Sequence, residues 1–439
     1  SKDGSLSVKI TDTEGAGSLL ITREISLSGT NDYSGTTTVS GKDATLTVGE
    51  SGLGQTSALI LTGESAFVND GLNTAGQIDA TNSDITLNGE LQLTLGGQVT
   101  GGTFNGAGAL TVQGGTLTVN NLVSGDYKGS IALGGILNLH GGATGLGTGL
   151  VTFDDDTSQV NVNHNGSMTL TNTYTGAGQI VVDLGSSDNV FAFAEGQSKG
   201  DFTGRLSLQN ATYQLFADAD RLSSATLHSG TDSLIVVNTA DNVGDRALDT
   251  LELAGGTIDF GTLLGGTTSG QIVTDTVDMT ADTILKVALG GLTDENGSSV
   301  FGSDAGTSVI LIEGVNATGW NLSHLKLDGS TELTQVVSQE NRGEVAKFGY
   351  TGGNIFGSSE GIGAHWDLST ITLTNETNNG FLISAAGQTG DAGTIDAQIL
   401  GTGNVEFGGG AVTLSNESNN YTGTTRVTSG ELILGANGA

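Results

Sequence analysis

The sequence has 439 residues and is acidic and rich in glycine: 14 Lys and Arg oppose 47 Asp and Glu, the formal net charge is −33, and Gly occurs 73 times. Nucleic acids and anionic membrane surfaces need basic partners, so this charge argues against both. Because Cys and Pro are absent, the chain has neither disulfides nor thiolate metal sites, and it is not collagen. No apolar run is long enough to insert into a membrane as a helix.

Short runs of alternating apolar and polar residues recur along the chain, and Gly, Asn or Asp follows most of them. In chain order they include Ala44–Gly49, Ala109–Gly114, Gly115–Asn120, Gly135–His140, Val160–Asn163, Leu251–Leu253, Thr370–Thr374 and Glu431–Gly435. Alternation with a period of two between turn residues predicts β-strands. No stretch of helical spacing competes with this pattern, so the sequence predicts an all-β protein.

The strands follow one another too closely for a sandwich whose strands are joined by loops. Between residues 108 and 140 a new strand begins roughly every seven to ten residues, which favours a parallel β-helix. Its coils stack ~4.8 Å apart, with inward Val, Leu and Ile and outward Thr, Ser and Asn. At roughly 20–25 residues per coil, the chain would form about 15–20 coils and an elongated rod. Gly, Asn and Asp are expected to make the corners.

A degenerate repeat combines a polar residue, an aromatic residue, any residue and Gly, and a strand follows it. Its five copies are Asp32–Gly35, Asp126–Gly129, Thr173–Gly176, Asp201–Gly204 and Asn420–Gly423. The glycine is expected to permit a turn and the aromatic ring to cover one end of a core layer.

Two copies of this repeat carry a family resemblance. Asn419–Gly435 resembles the passenger-associated repeat of bacterial autotransporters almost position for position, and Thr30–Val39 is a second good match. The chain is therefore similar to the passenger domains of AIDA-type autotransporter adhesins, the group that includes antigen 43. The specific similarity covers about 50 residues, whereas the similarity in composition extends along the chain.

The resemblance implies a right-handed β-helix on the surface of a Gram-negative cell, attached to the outer membrane or secreted. Residues 1–439 are expected to form one passenger domain, with the passenger-associated repeat at 415–439. The family's C-terminal translocator barrel is not in the sequence, so the resemblance implies an excised passenger. No segment of it is expected to insert into a membrane.

Residues 315–367 depart from the coil pattern. Leu333–Ser338 and Glu344–Phe348 alternate on either side of Asn341–Gly343, which predicts a β-hairpin that protrudes from the rod or folds over its flank. An ordinary coil is the alternative. The Gly- and Ser-rich stretch Gly349–Gly363 is expected to be a loop.

Motifs for catalysis are weak. Gly357–Gly361 matches G-x-S-x-G with Ser359 as nucleophile, but that motif needs a turn from strand to helix. Asp154–Asp156 has the residues of a Ca²⁺ ligand set without the spacing of a Ca²⁺ loop, and a solvated acidic turn explains it. The sequence therefore predicts no enzyme, no cofactor and no metal site.

Polar and cationic residues are the candidate ligand-binding groups. The polar set is Asn161, Asn163, Asn165, Asp183 and Asn189; the mixed-charge set is Lys199, Arg205, Asp218, Asp220, Arg221, Asp245 and Arg246. The three Arg are spaced by about one coil, so they could form a ladder that holds sulfate or carboxylate groups. The alternatives are turn residues chosen for backbone geometry and Arg–Asp surface pairs.

Three functions are compared. The first is an adhesin that binds a host matrix protein, such as fibronectin, or a glycan such as a glycosaminoglycan along the β-helix surface. The second is a self-associating passenger that drives cell aggregation and biofilm formation, although the net charge predicts a monomer at low salt with at most weak self-association. The third is a β-helix polysaccharide lyase or hydrolase, whose Gly-His-Gly and Arg-x-Lys motifs are missing.

Overall fold

The structure is a computed structural model. It describes residues 4–121, 126–142, 145–194, 202–215, 222–237, 245–264, 270–290, 293–294, 300–301, 306–328, 332–377 and 380–435. The chain divides into two compact units. The first comprises Ser1–Ile235, Ala247–Thr257 and Thr276–Ala281, and the second comprises Val236–Arg246, Ile258–Asp275 and Asp282–Ala439.

The strands of the first unit form four parallel stacks. Sheet 1 contains Leu19–Ile21, Thr36–Ser40, Ala58–Thr62, Gln77–Thr81, Gly96–Thr100, Thr116–Asn120, Ile136–His140, Gln159–Asn163, Gln179–Asp183, Arg205–Gln209, Thr226–Ser229 and residues 250–253 of Arg246–Ala254. Sheet 2 contains Gly4–Leu6, Ile25–Leu27, Thr45–Val48, Ala66–Asn69, Asp84–Leu87 and Phe104–Gly106. Sheet 3 contains Asn73–Ala75, Leu91–Leu93, Leu110–Val112, Ile131–Leu133, Leu150–Phe153 and Thr173–Thr175. A fourth sheet takes the place of sheet 2 in the later coils. It contains Met168–Leu170, Val190–Phe193 and Thr212–Gln214, and Leu234–Val236 follows them along the chain.

Each strand pairs in parallel with the equivalent strand of the next coil. In sheet 1, for example, Thr116–Asn120 pairs residue for residue with Ile136–His140, which pairs with Gln159–Asn163. Coils begin about 20 residues apart here, as the repeat length of solenoids predicts. The predicted all-β fold with parallel, stacked coils is thus confirmed as a β-solenoid.

The core is built from inward rows that run from coil to coil. One row of sheet 1 is wholly buried; it contains Val119, Leu139, Val162, Val182 and Leu208. Because the side-chain period of a strand is two, the residues between these apolar positions point outward. Alternation in the sequence therefore identifies both the core and the exposed face.

A left-handed residue makes the corner after many strands of sheet 1. The first residue after eight of these strands has a positive φ angle: Gly41, Gly63, Asn82, Gly101, Asn121, Gly141, Asn210 and Gly255. Gly, and less readily Asn, adopts this conformation without severe steric strain. The prediction that Gly and Asn make the corners is confirmed at these positions.

The glycine of the aromatic repeat has a different role from the one expected. Only Gly176 among the five has a positive φ angle. At Gly129 a Cβ atom would lie 1.7 Å from the carbonyl oxygen of Gly108, and at Gly423 it would lie 1.8 Å from that of Gly403. Glycine is thus required because the backbone passes so close to the coil below.

The aromatic residues of the repeat are mostly core residues. Four of them are buried: Tyr33, Tyr127, Tyr174 and Phe202. The two copies that carry the family resemblance share a further contact, because Tyr33 Oη lies 2.7 Å from Thr37 Oγ1 and Tyr421 Oη lies 2.6 Å from Thr425 Oγ1. The same Tyr–Thr hydrogen bond therefore ties the turn to the following strand in both copies.

From residue 257 onward the described strands continue to the end of the chain. They are Thr257–Leu264, Ile272–Ala281, Thr283–Gly290, Thr293–Asp294, Gly306–Glu313, Leu325–Asp328, Glu332–Gln339, Gly343–Gly357, Gly361–Leu373, Phe381–Ser384, Ala392–Ile395, Gln398–Gly401, Val405–Gly408, Ala411–Leu414, Thr425–Val427 and Glu431–Leu434. A 3-10 turn lies at Thr389–Asp391. The final coils pair in parallel, as in the first unit.

The hairpin predicted around Asn341 is present. Glu332–Gln339 pairs antiparallel with Gly343–Gly357, and that strand pairs antiparallel with Gly361–Leu373. The expectation that Gly349–Gly363 is a loop is wrong, because most of this stretch lies in the two long strands. Its glycines instead allow close packing: a Cβ atom at Gly357 would lie 2.2 Å from the carbonyl oxygen of Ala317.

The tip of this hairpin is held against the final coils. The Gln339 side chain both donates to the Leu382 carbonyl (2.8 Å) and accepts from the Leu382 amide (2.9 Å). The Arg342 guanidinium donates to the Gly380 carbonyl at 2.6 Å and to Glu406 Oε2 at 2.9 Å. The hairpin therefore docks within the second unit through hydrogen bonds at its turn.

In the described part of the chain, no helix has the length and apolar character that a bilayer crossing requires.

Candidate functional site: an uncharged face of sheet 1

The outer surface of sheet 1 contains a block without Asp, Glu, Lys or Arg. The block, called here the uncharged face, consists of Gln98, Thr100, Thr116, Thr118, Asn120, Ile136, Asn138, His140, Gln159, Asn161, Asn163, Gln179 and Val181. It extends over five coils. Asp79 borders it at one end and Asp183 at the other.

In-register pairing arranges the uncharged face in three rows. The central row contains Gln98, Thr118, Asn138, Asn161 and Val181. One flanking row contains Thr116, Ile136, Gln159 and Gln179, and the other contains Thr100, Asn120, His140 and Asn163. Neighbouring coils lie ~4.8 Å apart, and the two flanking rows are about 13 Å apart because four residues of strand separate them.

Three of the five residues of the central row, Thr118, Asn138 and Asn161, are joined by hydrogen bonds. Asn161 Nδ2 donates to Asn138 Oδ1 at 2.9 Å, and Asn138 Nδ2 donates to Thr118 Oγ1 at 3.4 Å. The side chains of Gln159, His140 and Asn163 make no hydrogen bond to another described residue. The flanking rows therefore hold donors and acceptors that water or a ligand can use.

Carboxylates lie along one rim of the face. Asp154–Asp156 forms a turn before Gln159, and the Asp156 carbonyl accepts a hydrogen bond from Gln179 Nε2 at 3.2 Å. Asp155 Oδ1 accepts from the hydroxyl groups of Thr157 (2.7 Å) and Ser158 (3.0 Å). These bonds lower the pKa of Asp155, which is ionised and closes the turn.

In the coil after Asp183, sheet 1 contains the cation Arg205. Its Nε and Nη2 atoms donate to Glu252 Oε2 at 2.8 Å and 2.5 Å, and Nη2 lies 2.6 Å from His228 Nδ1. Burial, and next the Arg205 charge, lower the pKa of His228 although Glu252 opposes the shift. His228 Nδ1 also lies 2.9 Å from Glu252 Oε2, so the ring contacts both members of the Arg205–Glu252 pair, whose charges neutralise each other.

Two of the predicted polar residues lie on the uncharged face, Asp183 ends one of its rows, and Asn165 and Asn189 lie in turns nearby. Asn161 and Asn163 face outward in adjacent rows. Asp183 Oδ1 accepts from Gly185 N and Asn210 Nδ2, both at 3.0 Å. Asn189 Nδ2 donates to the Leu184 carbonyl at 2.8 Å, and Asn165 packs against Gly185. Ligand binding by these residues stays a prediction.

The predicted arginine ladder is wrong for Arg246. Arg246 is 1% exposed, whereas Arg205 lies in the outer rows of sheet 1. The row of Arg205 continues through Thr226 to Thr250 and does not include Arg246. The prediction failed because it assumed a constant number of residues per coil, whereas the connections between sheet 1 strands differ in length from coil to coil. Asp245 is exposed. The other predicted residues, Lys199, Asp218, Asp220 and Arg221, lie outside the described residues.

The candidate nucleophile Ser359 lies in an exposed turn between the antiparallel strands Gly343–Gly357 and Gly361–Leu373. The turn from strand to helix that the G-x-S-x-G motif requires is not formed there. Within the described ranges, no three His, Asp or Glu side chains are grouped as metal ligands.

A shallow polar groove of about 350 Å³ lies at another corner of the first unit. It is lined by Gly54, Gln55, Thr56, Ser57, Thr74, Gly76 and Thr94. The Thr56 hydroxyl donates to the Gly35 carbonyl at 2.8 Å, so this group stabilises the corner.

Comparison with known proteins gives relatives of unstated function. The chain is 28% identical over 294 residues to the uncharacterized protein YuaQ of Escherichia coli K12, a match that covers 61% of this chain and 21% of that protein. It is 27% identical over 331 residues to the uncharacterized lipoprotein YdeK of the same strain, covering 68% of this chain and 24% of the relative. The chain thus spans about a quarter or less of each relative. No family model matches, and no solved structure matches significantly.

Sequence reasoning missed most of the uncharged face. It identified Asn161 and Asn163, but not Thr118, Asn138 or Gln159, which stack beside them. The signal was present in part, because the alternating runs show which residues point outward. The register between coils decides which of those residues are neighbours, and it could not be predicted from the sequence.

Proposed function

We propose that the chain is part of a bacterial surface adhesin that binds a host matrix protein or a glycan along the uncharged face. The observation that carries this proposal is the face itself: five coils of amide, hydroxyl and imidazole groups in a chain whose net charge is −33. Rows of such groups suit an extended polymer, because each coil repeats the same few contacts.

The location at the cell surface rests on two supports. The repeats at Thr30–Val39 and Asn419–Gly435 resemble those of autotransporter passengers, and one relative is named a lipoprotein. Lipoproteins are held at membranes by acyl chains, so the relative's name favours the cell envelope for this chain as well. Exposure on the outer membrane is part of the proposal.

Self-association is a second candidate, and the same face favours it. The uncharged face has no carboxylate within it, although the net charge of the chain is −33. Like charges directly opposite each other are destabilising, so two copies that met through this face would avoid much of the repulsion that the net charge creates.

Solid-phase binding of the purified chain tests the proposal against immobilised fibronectin, collagen, neutral and acidic polysaccharides, and the chain itself. The Asn161→Asp/Asn163→Asp variant adds two carboxylates to the face. The control is Thr111→Asp/Thr152→Asp, which adds the same charge to the outward row of sheet 3. At least tenfold weaker binding is expected for the face variant, because lost amide donors and a buried charge each oppose binding.

Equal binding by both variants and the unmodified chain would overturn the assignment of the face. Binding to the immobilised chain alone, lost in the face variant, would favour self-association over adhesion.

A further inference from the structure

We infer that the ligand of the uncharged face is a neutral, β-linked polysaccharide that runs along the coil stack with about one sugar per coil. This inference rests on the proposed function and specifies its ligand class. The juxtaposition that carries it is the hydrogen-bonded series Thr118, Asn138 and Asn161 of the central row. It lies between flanking rows in which side chains such as Gln159 and Asn163 remain available.

The direction of the ligand follows from the spacing of the rows. Contacts repeat every ~4.8 Å along the coil stack, which is close to the length of one sugar and its linkage, while the flanking rows are about 13 Å apart. A chain over the central row reaches both flanking rows with equatorial hydroxyl groups. Gln159 and Asn163 are then on opposite sides of the same sugar.

Hydrogen-bond availability supports this placement. In the central row, the side-chain amides of Asn138 and Asn161 are already hydrogen-bonded to each other, so they form a surface on which the sugar rings can lie. Ile136 and Val181 supply apolar contacts for ring carbons. The flanking amides and His140 can both donate and accept, which matches sugar hydroxyl groups.

Electrostatics exclude an acidic polymer from this position. The Asp154–Asp156 turn lies along the Gln159 side, and Asp183 ends the row of Asn163. Arg205, the cation nearest along sheet 1, is neutralised by Glu252 at 2.5 Å. A carboxylated or sulfated chain would therefore meet carboxylates without a free cation to offset them.

Sheet 3 also has an outward row without charged residues, which includes Thr111 and Thr152. Leu110–Val112 places one residue outward, whereas Leu150–Phe153 also exposes Leu150. Thr111 Oγ1 also donates to Glu90 Oε1 at 3.3 Å. Because this row has a carboxylate beside Thr111, unlike the uncharged face, it serves as an internal comparison.

Calorimetric titration of the purified chain tests the inference with cello-oligosaccharides and chito-oligosaccharides of two to six sugars, and with hyaluronate fragments of matched length. Affinity for one neutral series is expected to rise about three- to tenfold per added sugar and to level off near five. Hyaluronate is expected to bind at least tenfold more weakly. Gln159→Ala/Asn163→Ala should lower the affinity at least tenfold, and Thr111→Ala/Thr152→Ala should leave it within twofold.

Tighter binding of hyaluronate, or neutral binding that does not increase with length, would overturn the inference. If the chain binds fibronectin through the uncharged face but neither neutral series, the inference fails while the proposed function stands. If no probe in either experiment binds, both fail. Circular dichroism and the urea midpoint of each variant establish that the fold is retained.

Discussion

Replacing Gly129 with alanine is expected to destabilise the fold by ~3 kcal/mol. The new Cβ atom would lie 1.7 Å from the Gly108 carbonyl oxygen and 2.5 Å from Tyr127 Oη. Neither obstacle can move freely, because Tyr127 Oη itself donates to the Gly108 carbonyl at 2.8 Å within the core. The backbone must shift, and the stacking of two coils is disturbed. Urea-induced unfolding of the purified variant measures the effect.

Gly114→Ala is the matched control. Gly114 lies in the same part of the solenoid, but a Cβ atom there would meet nothing closer than the Thr94 carbonyl oxygen at 3.5 Å. Its free energy of unfolding should remain within about 0.5 kcal/mol of the unmodified chain. Equal destabilisation by the two substitutions would contradict the view that close approach, and not loss of flexibility, requires Gly129.

Arg342→Ala is expected to cost ~3 kcal/mol, because it leaves a buried carboxylate without its closest partner. The Glu406 side chain is 9% exposed, and the Arg342 guanidinium lies 2.9 Å from it. The same substitution removes the hydrogen bond to the Gly380 carbonyl. Thermal unfolding should begin at a lower temperature, and hydrogen exchange should increase in the hairpin around Arg342.

Arg426→Ala provides the comparison for this ion pair. Arg426 also contacts Glu406, but at 3.5 Å and with a side chain that is 66% exposed. Its loss should change the free energy of unfolding by ~0–1 kcal/mol. If both variants unfold alike, the hairpin is not held through Arg342.

The fold was largely predictable because strand alternation and turn residues are local signals. Val160–Asn163, for instance, shows both the inward positions and the outward ones without reference to any other coil. The hairpin around Asn341 was predictable for the same reason. Its docking through Arg342 was not, because Glu406 is 64 residues away along the chain.

The candidate site was only partly predictable, since it depends on the register between coils. Arg205, Arg221 and Arg246 have a spacing close to one coil, yet Arg246 is buried and Arg205 pairs with Glu252, which is 47 residues away. The connections between sheet 1 strands have unequal lengths, so the number of residues between two arginines does not show whether they lie in the same row. Asn138 and Asn161 become neighbours only once their strands are paired.

The most direct test of the central claim is to locate the ligand on the solenoid. Since the chain has no Cys, an environment-sensitive fluorophore can be attached at one position, in Asn165→Cys in the exposed turn beside the uncharged face or in Thr152→Cys on sheet 3. Each labelled protein is titrated with the polymer that binds most tightly in the solid-phase panel. A saturable spectral change at position 165 with none at position 152 is the expected result. A change at position 152 alone would contradict binding at the uncharged face.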